Sequence, residues 1–399
     1  MDAPTTNQIV EVKAWHPAVV VLAIFIVGWG TNVSTPFLIL YQRRLELSDP
    51  ETMAIFVVYA FAIMLTLPLA GALSDRFGRR TVVGPLIVVA ALGSLLLIPG
   101  RNNYALLLGG RFLLGAVSGG VFGVGAAWLQ ELYGKGNEHK AALAATISTY
   151  AGFGIGPPIS ALFHRAEAAP LVAPFVLHAA LAFAILLPVL LAPETASKKP
   201  LTARSVLPSV PTRGRRLFFF VIVPAAIWVF GFPSTSFALF PVAVAEALPG
   251  NEVVIAAAMG FLTAWSALLS RPIVKRLGPR RSIPVGMTLG VLGYVCGTIG
   301  FATSLWPMVL PAAVLLGAAS GTLTAGPLGL LATLADDDTR GSINSTFYLL
   351  AYPGMAMPLL LTAIGTRTGL TAALVGIIIV ASIALLFSTR AARLSFADA

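Results

Sequence analysis

The sequence of 399 residues is poor in cysteine and in charge: one Cys, 16 Asp and Glu together, and a charged fraction of 11%. The single thiol, Cys296, lies inside an apolar run, which excludes a disulfide framework and a thiolate metal cluster. Soluble domains carry about a quarter charged residues, so a chain with this little charge cannot coat a water-exposed surface. No phosphate-binding glycine loop with its lysine, no cluster with metal-ligand spacing and no Ser, His and acid constellation is present, so the chain reads as no enzyme, with no cofactor and no metal. Carboxylates are also missing from the middle of every apolar run. Glu46, Asp49, Glu51, Glu246 and Glu252 collect at run ends, which leaves no membrane-embedded acid of the kind that would hold a lipophilic cation.

Apolar residues fill the space left. They make up 57% of the chain, with mean hydropathy +0.88. Runs of about 20 residues, enough to cross roughly 30 Å of hydrocarbon as helix, recur along the whole length. They place twelve spans near 17–40, 51–72, 81–99, 104–130, 141–163, 171–192, 217–240, 252–272, 282–302, 306–334, 342–364 and 370–389. The fold class is therefore all-α and polytopic, embedded in a lipid bilayer. The leader from Met1 to His16 has no small-residue cleavage site beside an apolar core, so the first run reads as a retained span.

The net charge of +10 and pI near 10.1 could indicate a nucleic-acid partner, but the placement of the cations argues against one. With the N-terminus inside, the outer loops hold only Arg43, Arg44, Arg101, Arg165 and Arg367, and the other loop cations fall in cytoplasmic segments. That is the positive-inside asymmetry, and it places both termini in the cytoplasm. Glu194 to Arg216, rich in Pro, Ser, Lys and Arg, reads as a cytoplasmic linker between an N-terminal half, 1–193, and a C-terminal half, 217–399. The halves repeat: Leu113-Leu114-Gly115-Ala116-Val117-Ser118-Gly119 recurs as Leu315-Leu316-Gly317-Ala318-Ala319-Ser320-Gly321, and Tyr150-Ala151-Gly152 as Tyr352-Pro353-Gly354.

Between the second and third runs stands Gly71-Ala72-Leu73-Ser74-Asp75-Arg76-Phe77-Gly78-Arg79-Arg80, read as a short polar loop. It resembles the signature loop of the major facilitator superfamily, G-x-L-x-D-R-x-G-R-R/K, at every defined position. Leu107-x-x-x-Arg111-x-x-Leu114-Gly115 resembles the arginine motif of that family's fourth span, with Leu114 in place of glutamine. Gly152-x-x-x-Gly156-Pro157-x-x-Ser160-Ala161 resembles the antiporter motif of its exporters, with two small residues in place of the last two glycines. The resemblance covers nearly the whole chain and implies two six-helix halves with a cargo site between them.

It also implies roles. Asp75 would latch the halves by facing the helix N-terminus near Ser342, or else pair with an arginine of its own loop. Gly71 would allow close helix approach and Gly78 the turn. Arg79 and its neighbours would join Glu131 in a charge relay, Glu131 being otherwise an ordinary solvated helix end. The matching stretch of the second half has Lys275 where Asp75 would align. Arg111, the one cation deep within a span, either takes part in proton coupling or cargo contact, or holds neighbouring backbone carbonyls. Gly152, Gly156 and Pro157 flatten and bend the fifth span. Asn32, Thr35, Tyr59, Trp128, Tyr150, Phe232, Ser236, Trp265 and Tyr352 are candidates to line the cargo cavity. His178 reads as structural, and Pro193-Glu194-Thr195 as a family ending without chemistry.

These readings converge on a monomeric inner-membrane secondary transporter working by alternating access. It is expected to exchange protons for a small neutral or anionic organic molecule, outward. An importer or facilitator of sugars or metabolites, and a non-transporting sensor or assembly factor on the same scaffold, are the rival readings. Reporter fusions at Ser197 and Ala399 should both report the cytoplasm, and an external signal at either would overturn the span count or the orientation.

Overall fold

The computed structural model describes residues 12–196, 209–334 and 340–397, all helical or in short connections, with no strand among them. Joining short 3₁₀ and π turns to the helices they continue gives twelve rods. These are α1 (Trp15–Leu45), α2 (Asp49–Phe77), α3 (Arg79–Gly100) and α4 (Tyr104–Tyr133), then α5 (Glu138–Arg165) and α6 (Ala173–Leu191). The second set is α7 (Arg215–Ala243), α8 (Glu252–Leu269), α9 (Arg271–Ala302), α10 (Trp306–Leu334), α11 (Ser342–Thr368) and α12 (Leu370–Arg390). Eleven of them are long and apolar enough to cross a membrane by composition alone. The twelfth, α5, spans 28 residues but is diluted by Gly, Pro, Ser and Thr. It gives up apolarity because it packs against protein on two sides.

Helix ends follow local chemistry. Ser48 and Glu51 form a capping box that starts α2, and Asn103 accepts from the Leu106 N–H to start α4, each satisfying donors that have no helical partner. The decapeptide read as a polar loop is helical through Phe77, and the turn is the single residue Gly78, at φ 111°. Its counterpart Gly278, at φ 74°, breaks α9 in the same way. Both backbones occupy space that side chains with Cβ rarely enter, so a one-residue reversal requires glycine.

Large apolar side chains such as Leu162, Leu187, Leu269 and Ile383 point outward, the reverse of a water-soluble protein, because the surrounding solvent is hydrocarbon. Burial of the most apolar window falls from 72% in α1 to 22% in α12, so α1 is central and α12 faces lipid. Within the first six helices α1 packs on α5, α2 on α4, and α3 on α4 and α6; α8 repeats the α2 contact by packing on α10, and α5 with α8 and α2 with α11 join the two sets.

The sequence repeat is realised atom for atom. A Cβ on Gly152 would strike the Phe25 carbonyl and the Trp29 amide of α1, and one on Gly354 would strike the Ile227 carbonyl and the Gly231 amide of α7. Phe25 and Ile227, like Trp29 and Gly231, are separated by the same offset as the glycines. Gly115 likewise presses on the Tyr59 carbonyl and Gly317 on that of Thr263. Lacking a hydrophobic drive between helices in lipid, the bundle gains cohesion from this backbone approach.

Gly152→Val and Gly354→Val are expected to lower detergent melting temperature sharply, at a cost of about 1–3 kcal/mol or more, because backbone rather than a movable side chain fills the space. Gly376→Ala, with nothing within 4 Å of its Cβ, should leave melting unchanged.

Candidate functional site

Three groups of polar residues interrupt the apolar bundle. The first gathers around Gly78. Arg79, at the start of α3, reaches Glu131 at the end of α4 through Nη2 at 2.8 Å and Asp75 through Nη1 at 2.6 Å, and donates to Ser74 Oγ at 2.6 Å. Glu194, beyond α6, accepts from the Arg79 backbone N–H at 2.6 Å and from that of Arg80 at 3.1 Å. A carboxylate there satisfies orphan donors at the α3 N-terminus and complements its dipole. Thr195 donates to Glu131, and Trp128 Nε1 donates to the Pro193 carbonyl at 3.1 Å.

The stretch Pro193-Glu194-Thr195, expected to carry no chemistry, is thus a clamp on the signature turn. Glu194 also occupies the space that a Cβ on Gly78 would need. Asp75 is spent on Arg79, with 39% of its side chain exposed. The α11 N-terminus that a latch requires adjoins residues 335–339, outside the described residues.

The second group surrounds a break in α1. After Asn32 the helix stops, passes Val33 and Ser34, and resumes through a 3₁₀ turn at Thr35–Phe37 in which Pro36 lacks an N–H. The carbonyls before the break lose their helical donors, and side chains replace them. Ser160 of α5 donates to the Val33 carbonyl at 2.6 Å. Arg111 of α4 donates through Nη1 to the Thr31 carbonyl at 2.6 Å and through Nε to the Ile55 carbonyl of α2 at 3.1 Å.

Arg111 is 1% exposed, and its guanidinium lies 4.9 Å from the Tyr59 ring centre and 5.8 Å from that of Phe56. Its planar donors fit diverging carbonyls that an ammonium could not serve together. Of the two readings open for Arg111, the geometry fits the one in which it holds backbone carbonyls. His178 is structural in the same sense: its Nε2 faces the Ile26 carbonyl at 3.0 Å and must donate, leaving Nδ1 to accept from Ser94 Oγ at 2.7 Å.

The third group lies where the two sets of six helices meet. On α5, Gly152 and Gly156 turn toward α1, while Gly154 meets the Trp265 indole and Pro157 meets Gly260, both on α8. Tyr150 faces Thr324 of α10. Tyr352 of α11 stacks on Phe230 at 4.6 Å and lies within electrostatic range of Tyr59 and Tyr150 of the first set. Phe56 and Phe237 meet edge to face at 5.5 Å across the same boundary. The Trp265 Nε1 is buried without a hydrogen-bond partner.

Other candidates sit elsewhere. Asn32 and Thr35 flank the α1 break and meet each other at 3.5 Å, Asn32 also donating to the Phe153 carbonyl at 3.4 Å. Trp128 is in the interior of the first six helices, and Phe232 is stacked on Trp228 over Gly290 within the last six. Ser236 bonds Thr263 at 2.8 Å.

The Major Facilitator Superfamily model matches residues 20–259. The chain belongs to this superfamily. Among its relatives is the class C tetracycline resistance protein of Escherichia coli, 29% identical over 334 residues that cover 78% of each chain. The class G tetracycline resistance protein of Vibrio anguillarum is 28% identical over 373 residues, covering 87% of this chain and 90% of that one. A transporter of the POT family crystallised with 5-aminolevulinic acid shares the fold, with TM-score 0.77 and 15% identity over 94% of both chains. The protein is a major facilitator transporter of the membrane, and its family and relatives are transporters. What the family motifs could not reveal was the second partner of the signature turn. Glu194 stands 115 residues from Arg79, and only its place after a span hinted at a cap.

For Arg111, both Arg111→Lys and Arg111→Ala are expected to lower detergent melting temperature together with transport. Alanine leaves the Thr31 carbonyl at the α1 break without its donor and removes the tie to Ile55, and lysine cannot serve both carbonyls at once, at about 1–3 kcal/mol for a buried unsatisfied group. Full stability with lost coupling would return Arg111 to the proton path.

Proposed function

We propose that this transporter is a proton-coupled exporter of a small neutral or anionic organic molecule. It works as a monomer in the inner membrane by alternating access, with both termini and the 194–216 linker on the cytoplasmic side and no catalytic activity. The observation that carries the reading is α5. Its one face accepts the α1 backbone at Gly152 and Gly156, and its other presents Gly154 and Pro157 to α8. Locked to α1 by backbone contact, α5 moves with the first set and presents a face of small residues to the other set at α8. The tetracycline resistance relatives support the outward direction.

The cargo's charge follows from what is buried. Among the described residues the one buried carboxylate, Glu252, sits at a helix end, so nothing at mid-depth compensates a cation. Tyr59, Tyr150, Trp265 and Tyr352, at the meeting of the two sets, offer apolar surface to a neutral guest and hydroxyl and indole N–H edges to a neutral or anionic one. Asp75, Arg79, Glu131, Gly71 and Gly78 form the cytoplasmic gating element, with Asn32 and Thr35 at the α1 break beside the path.

Proteoliposomes with an imposed pH gradient test the reading. Everted vesicles acidified inside should accumulate cargo from a panel of neutral and anionic aromatics, and collapse of the gradient by an uncoupler should abolish uptake. Accumulation in the opposite direction would establish an importer, and gradient-independent equilibration a facilitator.

A further inference from the structure

Glu252 opens α8, and its side chain is 8% exposed. Its Oε1 accepts from Arg43 Nη1 at 2.8 Å, and Arg43 lies in the last turn of the α1 rod. Of the ion pairs among the described residues, this is the one that joins the first six helices to the last six; Arg79 with Asp75 and with Glu131 stays within the first six. Beside it Arg165, ending α5, donates to Asn251 Oδ1 at 3.5 Å across the same boundary. Beneath the pair is a narrow cleft lined by Thr35, Ile39, Ala238, Pro241, Glu252 and Ala256. It is too tight to hold a water molecule.

We propose that Arg43 and Glu252 form the gate of the face opposite the Gly78 turn, holding it shut in the present conformation and parting when that face opens. The inference rests on the alternating-access reading above. A carboxylate this buried, at a helix start, is held by its cation and by the free N–H groups of the first turn. Withdrawing Arg43 leaves a desolvated charge that must regain water, so separation of the pair and wetting of the cleft occur together.

The gate therefore has two states, closed and dry or parted and wet. Arg43 is half-exposed, its side chain at 53%, so the pair is partly screened and weak enough to cycle. Toward the opposite face a guanidinium crosses the boundary to a hydroxyl instead, Arg271 Nη2 donating to Thr146 Oγ1 at 3.1 Å.

Spin labels at Ala168 and Thr303, on outer connections of the two sets, in a Cys296→Ser background, read the opening of this face by distance in detergent or nanodiscs. Arg43→Gln should raise the long-distance population about two- to fivefold, as befits a partly screened pair, and Glu252→Gln at least as much. Arg43→Lys should preserve the short distance. The double variant should open the face no further than the stronger single variant, because both changes remove one interaction.

Unchanged distances in Arg43→Gln, whose exposed side chain makes misfolding no explanation, would overturn the gate, as would additive opening in the double variant. The measurement needs no cargo. Opening in the single variants with no gradient-driven transport of any substrate would uphold the gate while removing the export reading.

Discussion

The architecture depends on how closely α5 lies on α1 and α11 on α7. At Gly152 and Gly354 the approach is set by backbone atoms, with carbonyls of Phe25 and Ile227 filling the space where a side chain would begin. In hydrocarbon no water gains entropy when such helices meet, so contact distance and backbone complementarity supply cohesion that water-soluble bundles draw from apolar burial. Because the same contact occurs in both sets, the molecule is a duplicated packing solution, and the boundary between the copies is where it departs from symmetry.

That departure is electrostatic. At one face the first set builds a connected charge network, where Arg79 serves Asp75, Glu131 and Ser74 while Glu194 caps α3. The second set keeps the glycine turn at Gly278 but carries Lys275 where Asp75 stands. At the other face, among the described residues, one ion pair, Arg43 with Glu252, crosses between the sets. The contacts that cross the boundary differ in chemistry, an ion pair at one face and a guanidinium-to-hydroxyl hydrogen bond at the other, so water reaching each face weakens them unequally.

Deep polarity serves the fold before it serves transport. Arg111, Ser160, His178 and Tyr294 each donate to a backbone carbonyl of α1, α2 or α7. In a medium without water these donors are what makes a broken helix affordable. An arginine motif in the fourth span thus has a physical use independent of proton transfer, supporting the α1 break through the Thr31 carbonyl.

The twelve spans, the repeat and the signature turn were legible in the sequence because each rests on local chemistry: run length against bilayer thickness, glycine spacing, and a turn flanked by apolar runs. Even α5 was legible as a span, although its small polar residues lower its apolarity. The turn was misjudged in extent, being one residue rather than ten, since a polar stretch can continue a helix that has left the hydrocarbon. Partners far apart in the chain were not legible. Glu194 meets Arg79 across 115 residues and Glu252 meets Arg43 across 209. Nothing in the identity of an acid tells which arginine it will face, or whether Trp128 and Phe232 will turn into a bundle interior rather than toward the boundary. The sequence by itself determined which segments enter the membrane and which glycines allow approach, because hydropathy and backbone sterics are properties of short stretches. Only the tertiary structure decided which charges pair and which carbonyls each buried donor serves, because those depend on helix rotation and depth, set by the packing of all twelve rods together.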